Sequence, residues 1–358
     1  MQSDIIGRKF NEIDTPALLL DMNAAERNIN KMARFFADKK CKLRPHVKTH
    51  KLPLIGQMQI AAGAIGITCA TLDEAEAFVK AGIKEVLIAN QIIGKEKIKK
   101  LLNLAAQSNL IVCVDDYTNA ENISNEARDS GIKISVLVEV NVGLNRGGVL
   151  PGSDTLNFVK RISKLININF VGLMGYEGGL FIKDPEEKKK RCAHSNEMLA
   201  ETSKLVEKNG FNIQIVSAGG TNTYYQTGIF PGITEIQPGS YVTMDEHNRL
   251  FGSDFEQALT VLTTVISKPE RNRIIVDAGR KSISIDEGLP VTLDRLIKIT
   301  KLSEEHGHLE MSDKDITLAI GDKLQLIPGH GCTTIPLYSN YALIRNGIVE
   351  NNAEICRR

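Results

Sequence analysis

The fold is decided by the stretch Leu110–Asn141, "LIVCVDDYTNAENISNEARDSGIKISVLVEVN". Two nearly continuous apolar runs, "LIVCVDD" and "ISVLVEVN", bound it, and a mostly polar segment separates them. Strands with apolar side chains on both faces are typical of a parallel sheet that is covered by helices. The stretch therefore predicts two parallel strands joined through a helix.

The same alternation extends outward from this stretch to about residue 245. The other strand candidates are "PALLLD", "LRPHVK", "AIGITCAT", "EVLIANQ", "FVGLMGYEG", "IQIVSAGG" and "EIQPGSYV". Helical periodicity lies between most of them, as in Asn23–Lys40. Setting "PALLLD" aside leaves eight strands, the number that closes a (β/α)8 barrel of the TIM type.

After about Phe251 the pattern changes to short β-rich runs separated by turn residues. Examples are "ALTVLTTVISKP", "RNRIIVDAG", "KLQLIPGHGC" and "NYALIRNGIVE". This pattern predicts a second, mostly β domain at the C-terminal end. It leaves open whether the early strand "DTPALLLD" pairs with that domain or with the barrel.

Composition excludes several classes of protein. The chain has 358 residues, 42% hydrophobic and 24% charged, which suits one large globular domain plus a smaller one. A net charge of +1 argues against a general nucleic-acid or anionic-membrane surface. No apolar run approaches the roughly 20 residues of a membrane span. The first residues lack an apolar signal core, and the six cysteines form no CxxC pair, so we expect a cytoplasmic protein with reduced thiols.

The chemistry of a β/α barrel lies at the carboxyl ends of its strands. Five segments fall there: "RPHVKTHK" with Lys48, "NVGLNRGG" with Arg146, "GYEGG" with Tyr176, "SAGGT" (Ser217–Thr221) and "PGSY" (Pro238–Tyr241). The last two combine glycine with a hydroxyl side chain after the seventh and eighth barrel strands. Barrels of this kind commonly bind phosphate there, because glycine lets backbone N–H groups approach an anion closely.

The segment "RPHVKTHK" places a lysine between two histidines. If it is extended, Arg44, His46, Lys48 and His50 lie on one face, and this cationic row needs an anion. A phosphate would supply part of that charge. A barrel lysine beside a phosphate suggests pyridoxal phosphate held as an imine on Lys48, with the neighbouring cations keeping the amine neutral.

The order of motifs along the chain resembles the D-serine dehydratase and D-threonine aldolase family. The matching segments are "DTPALLLD", "RPHVKTHK", "EVLIANQ", "VCVDD", "GYEGG", "SAGGT", "PGSYV", "VDAG", "SEEHG" and "PGHGCTT". The resemblance covers nearly the whole chain. It implies a pyridoxal-phosphate enzyme with an alanine-racemase-like barrel (fold type III) over residues 22–245, and a β-rich metal-binding domain over 1–21 plus 246–358. It further implies that the N-terminal strand joins the β domain and that the enzyme is a homodimer with its sites between barrel and β domain.

By matching motif, the resemblance implies that Lys48 forms the Schiff base and is the catalytic residue. Arg146 would face the phenolic oxygen of the cofactor, and Tyr176 would lie against its pyridine ring. An ion pair for Arg146 and simple packing for Tyr176 are the alternative interpretations. The implied cofactor-binding set is His46, Lys48, Arg146, Tyr176, Gly219, Gly220, Thr221, Gly239, Ser240 and Tyr241.

The segment "PGHGC" places His330 and Cys332 two residues apart, so that both could point the same way from an extended segment. Imidazole and thiolate form a zinc-like donor set, but two ligands are too few for a structural zinc site. Spacing alone does not require a metal. The resemblance does imply one, because family members bind a divalent ion at this motif. We expect zinc, with manganese or magnesium as alternatives.

An ion and an imine on one substrate support two lyase reactions. Removal of the Cα proton by Lys48, with loss of the β-hydroxyl, eliminates water from a β-hydroxy-D-amino acid. Deprotonation of the β-hydroxyl instead breaks the Cα–Cβ bond and yields glycine and an aldehyde. In this family a cysteine as second ligand resembles the dehydratases, whereas a number of aldolases carry aspartate, so Cys332 favours dehydration.

Other functions predict different behaviour. An amino-acid racemase on the same barrel would be insensitive to chelators and gives no reason for the pair His330 and Cys332. A cofactor-carrying homeostasis protein would need no substantial β domain. A sugar-phosphate enzyme would fit if Lys48 binds no aldehyde. The predicted partner in the leading hypothesis is a small D-amino acid, with no nucleic acid or membrane.

Overall fold

The computed structural model describes residues 5–311 and 318–356 and divides them into two compact units. The barrel unit comprises Lys31–Lys48 and Pro53–Gly239. The β unit comprises the chain up to Asn30, the short segment Thr49–Leu52 and the chain from Ser240 onward. The domain limits predicted above stay a prediction, and parts of the predicted β domain (1–4, 312–317 and 357–358) lie outside the described residues.

The described chain contains seventeen strands, ten α-helices and two 3-10 turns. The strands are β1 (Ala17–Asp21), β2 (Lys42–Leu43), β3 (Ile67–Cys69), β4 (Glu85–Ile88), β5 (Asn109–Val114), β6 (Ile134–Glu139), β7 (Ile168–Met174), β8 (Ile215–Ala218), β9 (Glu235–Ile236), β10 (Leu259–Ser267), β11 (Arg273–Val276), β12 (Val291–Thr292), β13 (Ile297–Leu302), β14 (Gly307–Met311), β15 (Lys323–Ile327), β16 (Asn340–Arg345) and β17 (Ile348–Glu354). The helices are α1 (Met22–Phe36), α2 (Pro53–Ala61), α3 (Leu72–Lys80), α4 (Lys95–Ala105), α5 (Tyr117–Asp129), α6 (Ser153–Ile162), α7 (Pro185–Lys208), α8 (Tyr224–Thr227), α9 (Glu246–Leu250) and α10 (Gly331–Thr334), with 3-10 turns at Phe10–Glu12 and Ile335–Leu337.

The barrel unit is built on one sheet of eight strands in the order β2-β9-β8-β7-β6-β5-β4-β3, with every pair parallel. A parallel bridge between His46 and Thr68 joins the two ends of this order, supported by a hydrogen bond from Val47 N to Thr68 O of 2.8 Å. The strands are buried almost throughout, because helices cover the sheet. The predicted fold class, a parallel (β/α)8 barrel with a second, mostly β domain, is confirmed.

The helices between these strands begin where side chains satisfy their first N–H groups. Asp116 caps α5 by accepting a hydrogen bond from Asn119 N, and Asp184 caps α7 by accepting from Glu186 N and Glu187 N. The buried face of α5 combines the apolar Ile123 with the polar Asn119, whose side-chain amide donates to a backbone carbonyl. Among the residues described, none of the helices has the length and apolar character needed to span a membrane.

The β unit contains a nine-stranded sheet in the order β13-β14-β11-β10-β1-β16-β17, with β15 pairing to β10 and β12. The N-terminal strand β1 pairs antiparallel with β10 and parallel with β16. The early strand therefore joins the C-terminal sheet, as the family resemblance implies. In β13 buried and exposed positions largely alternate, which is typical of a sheet with one solvated face.

Candidate active site

Lys48 closes the first barrel segment and is half-buried. Its N–H donates to His46 Nδ1 over 3.4 Å, and His46 N donates to the carbonyl of Pro238 over 3.0 Å. The Lys48 Nζ lies 6.0 Å from the centre of the Tyr176 ring. Among the described residues no carboxylate forms an ion pair with this amine. The amine is therefore placed beside an aromatic ring without a neutralising acid.

The predicted cationic row is wrong in two respects. Arg44 is paired with Glu235 of β9 at 3.0 Å, and both side chains are buried, so the anion opposite Arg44 is a carboxylate of the barrel itself. The extended segment also ends early, because β2 stops at Leu43 and the chain turns from Val47 to His50. His50 lies in the β unit, where its carbonyl accepts a hydrogen bond of 2.9 Å from Tyr341 Oη.

Arg146 reaches the same aromatic ring as Lys48. Its guanidinium carbon lies 5.7 Å from the centre of the Tyr176 ring, within the range of a cation–π contact. The guanidinium is also 3.6 Å from Glu139, which in turn accepts a hydrogen bond from Gln91. Both interpretations of Arg146 from the sequence, a site residue and an ion pair, therefore describe the same side chain.

The first glycine cluster forms a turn after β8. Gly219 has φ +76°, and a Cβ there would meet Thr227 at 3.1 Å, so the position requires glycine. Gly220 lies against Tyr176, since a Cβ at this position would be 3.5 Å from Tyr176 Cε2. Gly219 N donates to Glu177 and Gly220 N donates to Thr223 Oγ1. Direct phosphate binding by these two N–H groups stays a prediction, as does that of the buried Thr221, which follows them.

The second glycine cluster runs from the last residue of the barrel unit, Gly239, into the β unit. The Ser240 carbonyl accepts a hydrogen bond of 2.8 Å from Met244 N, which closes a turn. The Tyr241 side chain is fully buried and packs against Phe255 with 5.4 Å between ring centres. A contribution of Tyr241 to phosphate binding would therefore come from its backbone, and the role of the cluster stays a prediction.

His330 and Cys332 are brought together in the β unit, although not on an extended segment. His330 is the N-cap of the short helix α10, and Cys332 lies in its first turn. The two side chains lie close enough for each to shift the pKa of the other, and Cys332 Sγ is 3.2 Å from Thr49 Oγ1. Thr49 follows Lys48 directly in the chain.

The His330 imidazole has a second partner. Its Nδ1 lies 2.8 Å from Asp286 Oδ2, and Asp286 also accepts hydrogen bonds from Ser284 and Thr333. Burial lowers the pKa of His330, but the interactions with Cys332 and Asp286 outweigh this effect and raise the pKa to about 10. Burial likewise raises the pKa of Cys332, and His330 more than offsets this, so the thiol pKa is lowered. The pair therefore favours an imidazolium and a thiolate.

Neighbouring groups fix the backbone of this motif. Gly331 N donates to Asp245 Oδ2 over 2.9 Å, and Asp245 also caps α9. His247 N donates to the carbonyl of Gly329 over 3.0 Å, and the His247 ring centre lies 6.4 Å from that of His330. Sequence reasoning missed Asp245, Asp286 and His247, because none of them belongs to a spacing motif.

These residues fit the two groups that the resemblance implies. The half-buried amine of Lys48, with Arg146 at the same ring, suits an aldehyde-bearing anion, and the missing Cβ of Gly220 leaves room beside Tyr176. For the metal, the Asp286 carboxylate holds Nδ1 of His330, which leaves Nε2 as the donor. The described residues contain no group of three or more His, Cys, Asp or Glu side chains able to hold an ion. A metal bound by His330 and Cys332 would therefore keep open positions, as catalytic ions do.

Comparison with known proteins places this geometry in a family. Residues 20–247 match the family model described as "Alanine racemase, N-terminal domain", and residues 258–344 match the "Putative serine dehydratase domain". The chain belongs to the first of these families, over most of its length. The predicted resemblance and the alanine-racemase-like barrel are confirmed.

The relatives are lyases. The chain is 35% identical to 3-hydroxy-D-aspartate aldolase of Paracoccus denitrificans, over 96% of this chain and 92% of that protein. It is 34% identical to D-threonine aldolase of Arthrobacter sp., over 98% and 94%. It is 29% identical to D-threo-3-hydroxyaspartate dehydratase of Delftia sp., over 94% and 96%. The predicted class, a lyase of the pyridoxal-phosphate-dependent type, is confirmed.

Solved structures agree with this assignment. D-threonine aldolase from Filomicrobium marinum matches with a TM-score of 0.95 and 34% identity, over 98% of this chain and 97% of that one. A cysteine-to-alanine variant of D-threo-3-hydroxyaspartate dehydratase in a metal-free form matches with a TM-score of 0.88 and 26% identity, over 98% and 99%. A histidine-to-alanine variant of a dehydratase of the same name, altered two positions earlier, matches with a TM-score of 0.89 and 27% identity, over 98% and 97%.

Proposed function

We propose that the protein is a pyridoxal-phosphate- and divalent-metal-dependent lyase that eliminates water from β-hydroxy-D-amino acids. The observation that carries the choice of dehydration is the paired imidazole and thiol of His330 and Cys332. D-threo-3-hydroxyaspartate dehydratase was altered at a histidine and a cysteine with the same spacing, and the cysteine variant was solved metal-free. This match supports both a metal at the motif and the elimination reaction.

Each residue of the barrel site would have its own role in the proposed elimination. When bound, pyridoxal phosphate would withdraw electrons from the bonds at Cα, and the divalent ion would polarise the β-hydroxyl. Lys48 would hold the cofactor covalently and, once displaced by the amine of the substrate, accept the Cα proton. Tyr176 and Arg146 would orient the ring, with Glu139 fixing the guanidinium. Loss of the Cα proton and the β-hydroxyl would together remove one water, and hydrolysis, which takes up one water, would leave a 2-keto acid and ammonia as the net products.

Asp286 and Thr49 serve the two metal donors. The Asp286 carboxylate sets the ring orientation of His330, and the Thr49 hydroxyl contacts the Cys332 sulfur. We infer zinc as the ion, because imidazole and thiolate suit it, with manganese and magnesium as alternatives. We also propose that the protein is a homodimer, on the family resemblance alone, and that it is cytoplasmic, on the composition of the sequence alone.

A second reaction is favoured by a different observation. The aldolases of Paracoccus and Arthrobacter are 35% and 34% identical to this chain, against 29% for the Delftia dehydratase. Retro-aldol cleavage would remove the β-hydroxyl proton and break Cα–Cβ, giving glycine and an aldehyde. Overall identity averages over the whole chain, whereas the metal donors act on the reacting hydroxyl, so we place dehydration first.

Product analysis separates the two reactions. The purified protein, supplied with pyridoxal phosphate and zinc, is incubated with D-serine, D-threonine and 3-hydroxy-D-aspartate, with the L-enantiomers as controls. We expect 2-keto acid and ammonia in equal amounts from at least one D-substrate, with loss of turnover on chelation. If glycine and an aldehyde are the only products, the protein catalyses retro-aldol cleavage and not dehydration. Turnover that is unchanged by chelation would remove the metal from the mechanism.

A further inference from the structure

Glu177 is a buried carboxylate that the proposed chemistry does not use. It follows Tyr176 in the segment after β7 and is only 6% exposed. Burial raises its pKa, and its hydrogen bonds oppose that effect only in part. Burying a carboxylate costs free energy unless donors compensate it, so its contacts indicate what it does.

The carboxylate oxygens of Glu177 accept hydrogen bonds from the turn after β8. Glu177 Oε2 accepts from Gly219 N over 3.3 Å, and Oε1 accepts from Thr223 Oγ1 over 2.5 Å. Thr223 Oγ1 in turn accepts from Gly220 N over 3.0 Å. One carboxylate therefore fixes, directly or through a single hydroxyl, the two glycine N–H groups and the end of the turn.

A turn of this length needs no buried acid in order to form, since glycine and a threonine hydroxyl suffice. Gly219 already supplies the left-handed conformation. What the carboxylate adds is a fixed distance between the segment after β7 and the turn after β8. That segment also carries Tyr176, whose ring lies against Gly220 and near Lys48. The pair Glu177 and Thr223 thus relates the turn to the ring of Tyr176.

We propose that Glu177 and Thr223 are positioning residues that hold the turn Gly219–Thr223 in the shape that receives the phosphate of pyridoxal phosphate. They set the affinity for the phosphate ester and leave the affinity for the pyridine aldehyde unchanged. The inference rests on the proposed function, because it requires the cofactor to bind at Lys48.

The test compares two ligands that differ only in the phosphate. Dissociation constants for pyridoxal phosphate and for pyridoxal are measured on the full-length protein and on Thr223→Val, which keeps the shape of threonine but removes the hydroxyl. We expect affinity for pyridoxal phosphate to fall about 10- to 100-fold, the loss of one or two hydrogen bonds, with pyridoxal binding within about threefold of the unaltered protein.

Two further variants serve as controls. Thr223→Ser restores the hydroxyl and should bind pyridoxal phosphate within about threefold of the unaltered protein. Thr155 is another fully buried threonine of the barrel unit, whose hydroxyl donates to the Leu150 carbonyl. Thr155→Val removes a matched hydroxyl away from the glycine turn and should change neither affinity.

The outcomes are distinct. Unchanged affinity of Thr223→Val for pyridoxal phosphate, or an equal loss for both ligands, overturns the inference while leaving the proposed function intact. Failure of the unaltered protein to bind pyridoxal phosphate overturns both. If Thr223→Val does not fold, Glu177→Gln replaces it, since glutamine has a single acceptor oxygen and can keep only one of the hydrogen bonds that Gly219 N and the Thr223 hydroxyl donate to Glu177. It should weaken pyridoxal phosphate several-fold and spare pyridoxal, and equal affinities for the phosphate ester in Glu177→Gln and the unaltered protein would overturn the inference.

Discussion

The two units assemble their functional side chains in opposite ways. In the barrel unit, Lys48, Arg146 and Tyr176 come from three separate segments of the chain, yet each follows a strand, so the fold brings both cations to the Tyr176 ring. In the β unit, His330 and Cys332 come from one short segment, and remote residues orient them. The residues of the barrel site can therefore be predicted from the order of the strands. The residues that orient His330 and Cys332 cannot, because their contacts depend on segments remote in the sequence.

The units also differ in how they compensate buried carboxylates. Glu235 in the barrel unit faces a single arginine, Arg44, and both are almost fully buried. Glu246 in the β unit is shared by Arg249 and Arg295, which are 46% and 39% exposed. Removing the acid should therefore leave an isolated buried charge in the first case and two partly hydrated charges in the second.

Replacement of Lys48 by alanine should produce the largest effect, because no other residue of the barrel site can form the covalent link. We expect turnover to fall by at least about a thousandfold, with no covalent uptake of cofactor. Lys42→Ala, at an exposed lysine of β2, the strand that precedes Lys48, is the matched control and should keep full activity. Steady-state kinetics on a β-hydroxy-D-amino acid measures both. Comparable turnover in the two variants would remove Lys48 from the chemistry.

Replacement of Glu235 by alanine tests the compensation of charge in the barrel unit. Within the described residues, Arg44 Nη1 has no hydrogen-bond partner, so its charge depends on Glu235. We expect a loss of about 3–5 kcal/mol in the free energy of unfolding, measured with urea. Glu256, whose ion pair with Arg27 is exposed, is the control, and Glu256→Ala should cost at most about 1 kcal/mol. Equal costs would mean that burial does not decide the value of these pairs.

The sequence predicted the barrel well because its strands are short apolar runs with helices between them. It placed Lys48, Arg146 and Tyr176 on one face of the barrel from strand ends alone. The first barrel strand was predicted too long. The composition of "LRPHVK" is typical of a strand, whereas the turn at Val47–His50 depends on tertiary contacts. The partner of Arg44 lies 191 residues further on, in a strand of only two residues, and no local pattern connects the two.

In the β unit the spacing of His330 and Cys332 was enough to predict a pair, but not its support. Asp286 is 44 residues before His330, outside any motif, so its hydrogen bond to the imidazole depends on how the loops fold. Glu177 follows Tyr176 in the segment "GYEGG", yet its hydrogen bonds to the turn after β8 are visible only in the folded structure. Sequence patterns thus indicate which residues carry chemistry more readily than which residues hold them.

Replacement of Cys332 by alanine tests the motif site apart from the barrel site. Loss of one of two protein donors should weaken zinc binding by at least about a hundredfold, measured by calorimetry on the holoenzyme, and turnover should fall with it. Covalent cofactor on Lys48 should persist, because the donors belong to the other unit. Cys356→Ala, at another partly exposed cysteine of the β unit, is the control. Unchanged zinc affinity in Cys332→Ala would place the metal elsewhere.

The smallest expected effect is the pH dependence contributed by Glu246. Burial would raise its pKa, but hydrogen bonds from Arg249 and Arg295 outweigh it and lower the pKa to about 2, from an ordinary value of 4.5. Because the folded-state pKa is depressed, the stabilisation is present above pH 4.5 and is lost as the pH falls towards 2. Since both arginines are partly hydrated, we expect about 1–2 kcal/mol. The free energy of unfolding of Glu246→Gln should equal that of the unaltered protein near pH 2 and be lower at pH 7. A difference between the two free energies that does not change with pH would contradict this prediction.

The central claim is that one amine of the barrel unit carries the cofactor. The most direct measurement is reduction of the protein with borohydride in the presence of pyridoxal phosphate, followed by mass analysis of its peptides. We expect a single pyridoxyl adduct, on Lys48, formed equally with and without a chelator. An adduct on a different lysine, or no adduct on a folded protein, would contradict it.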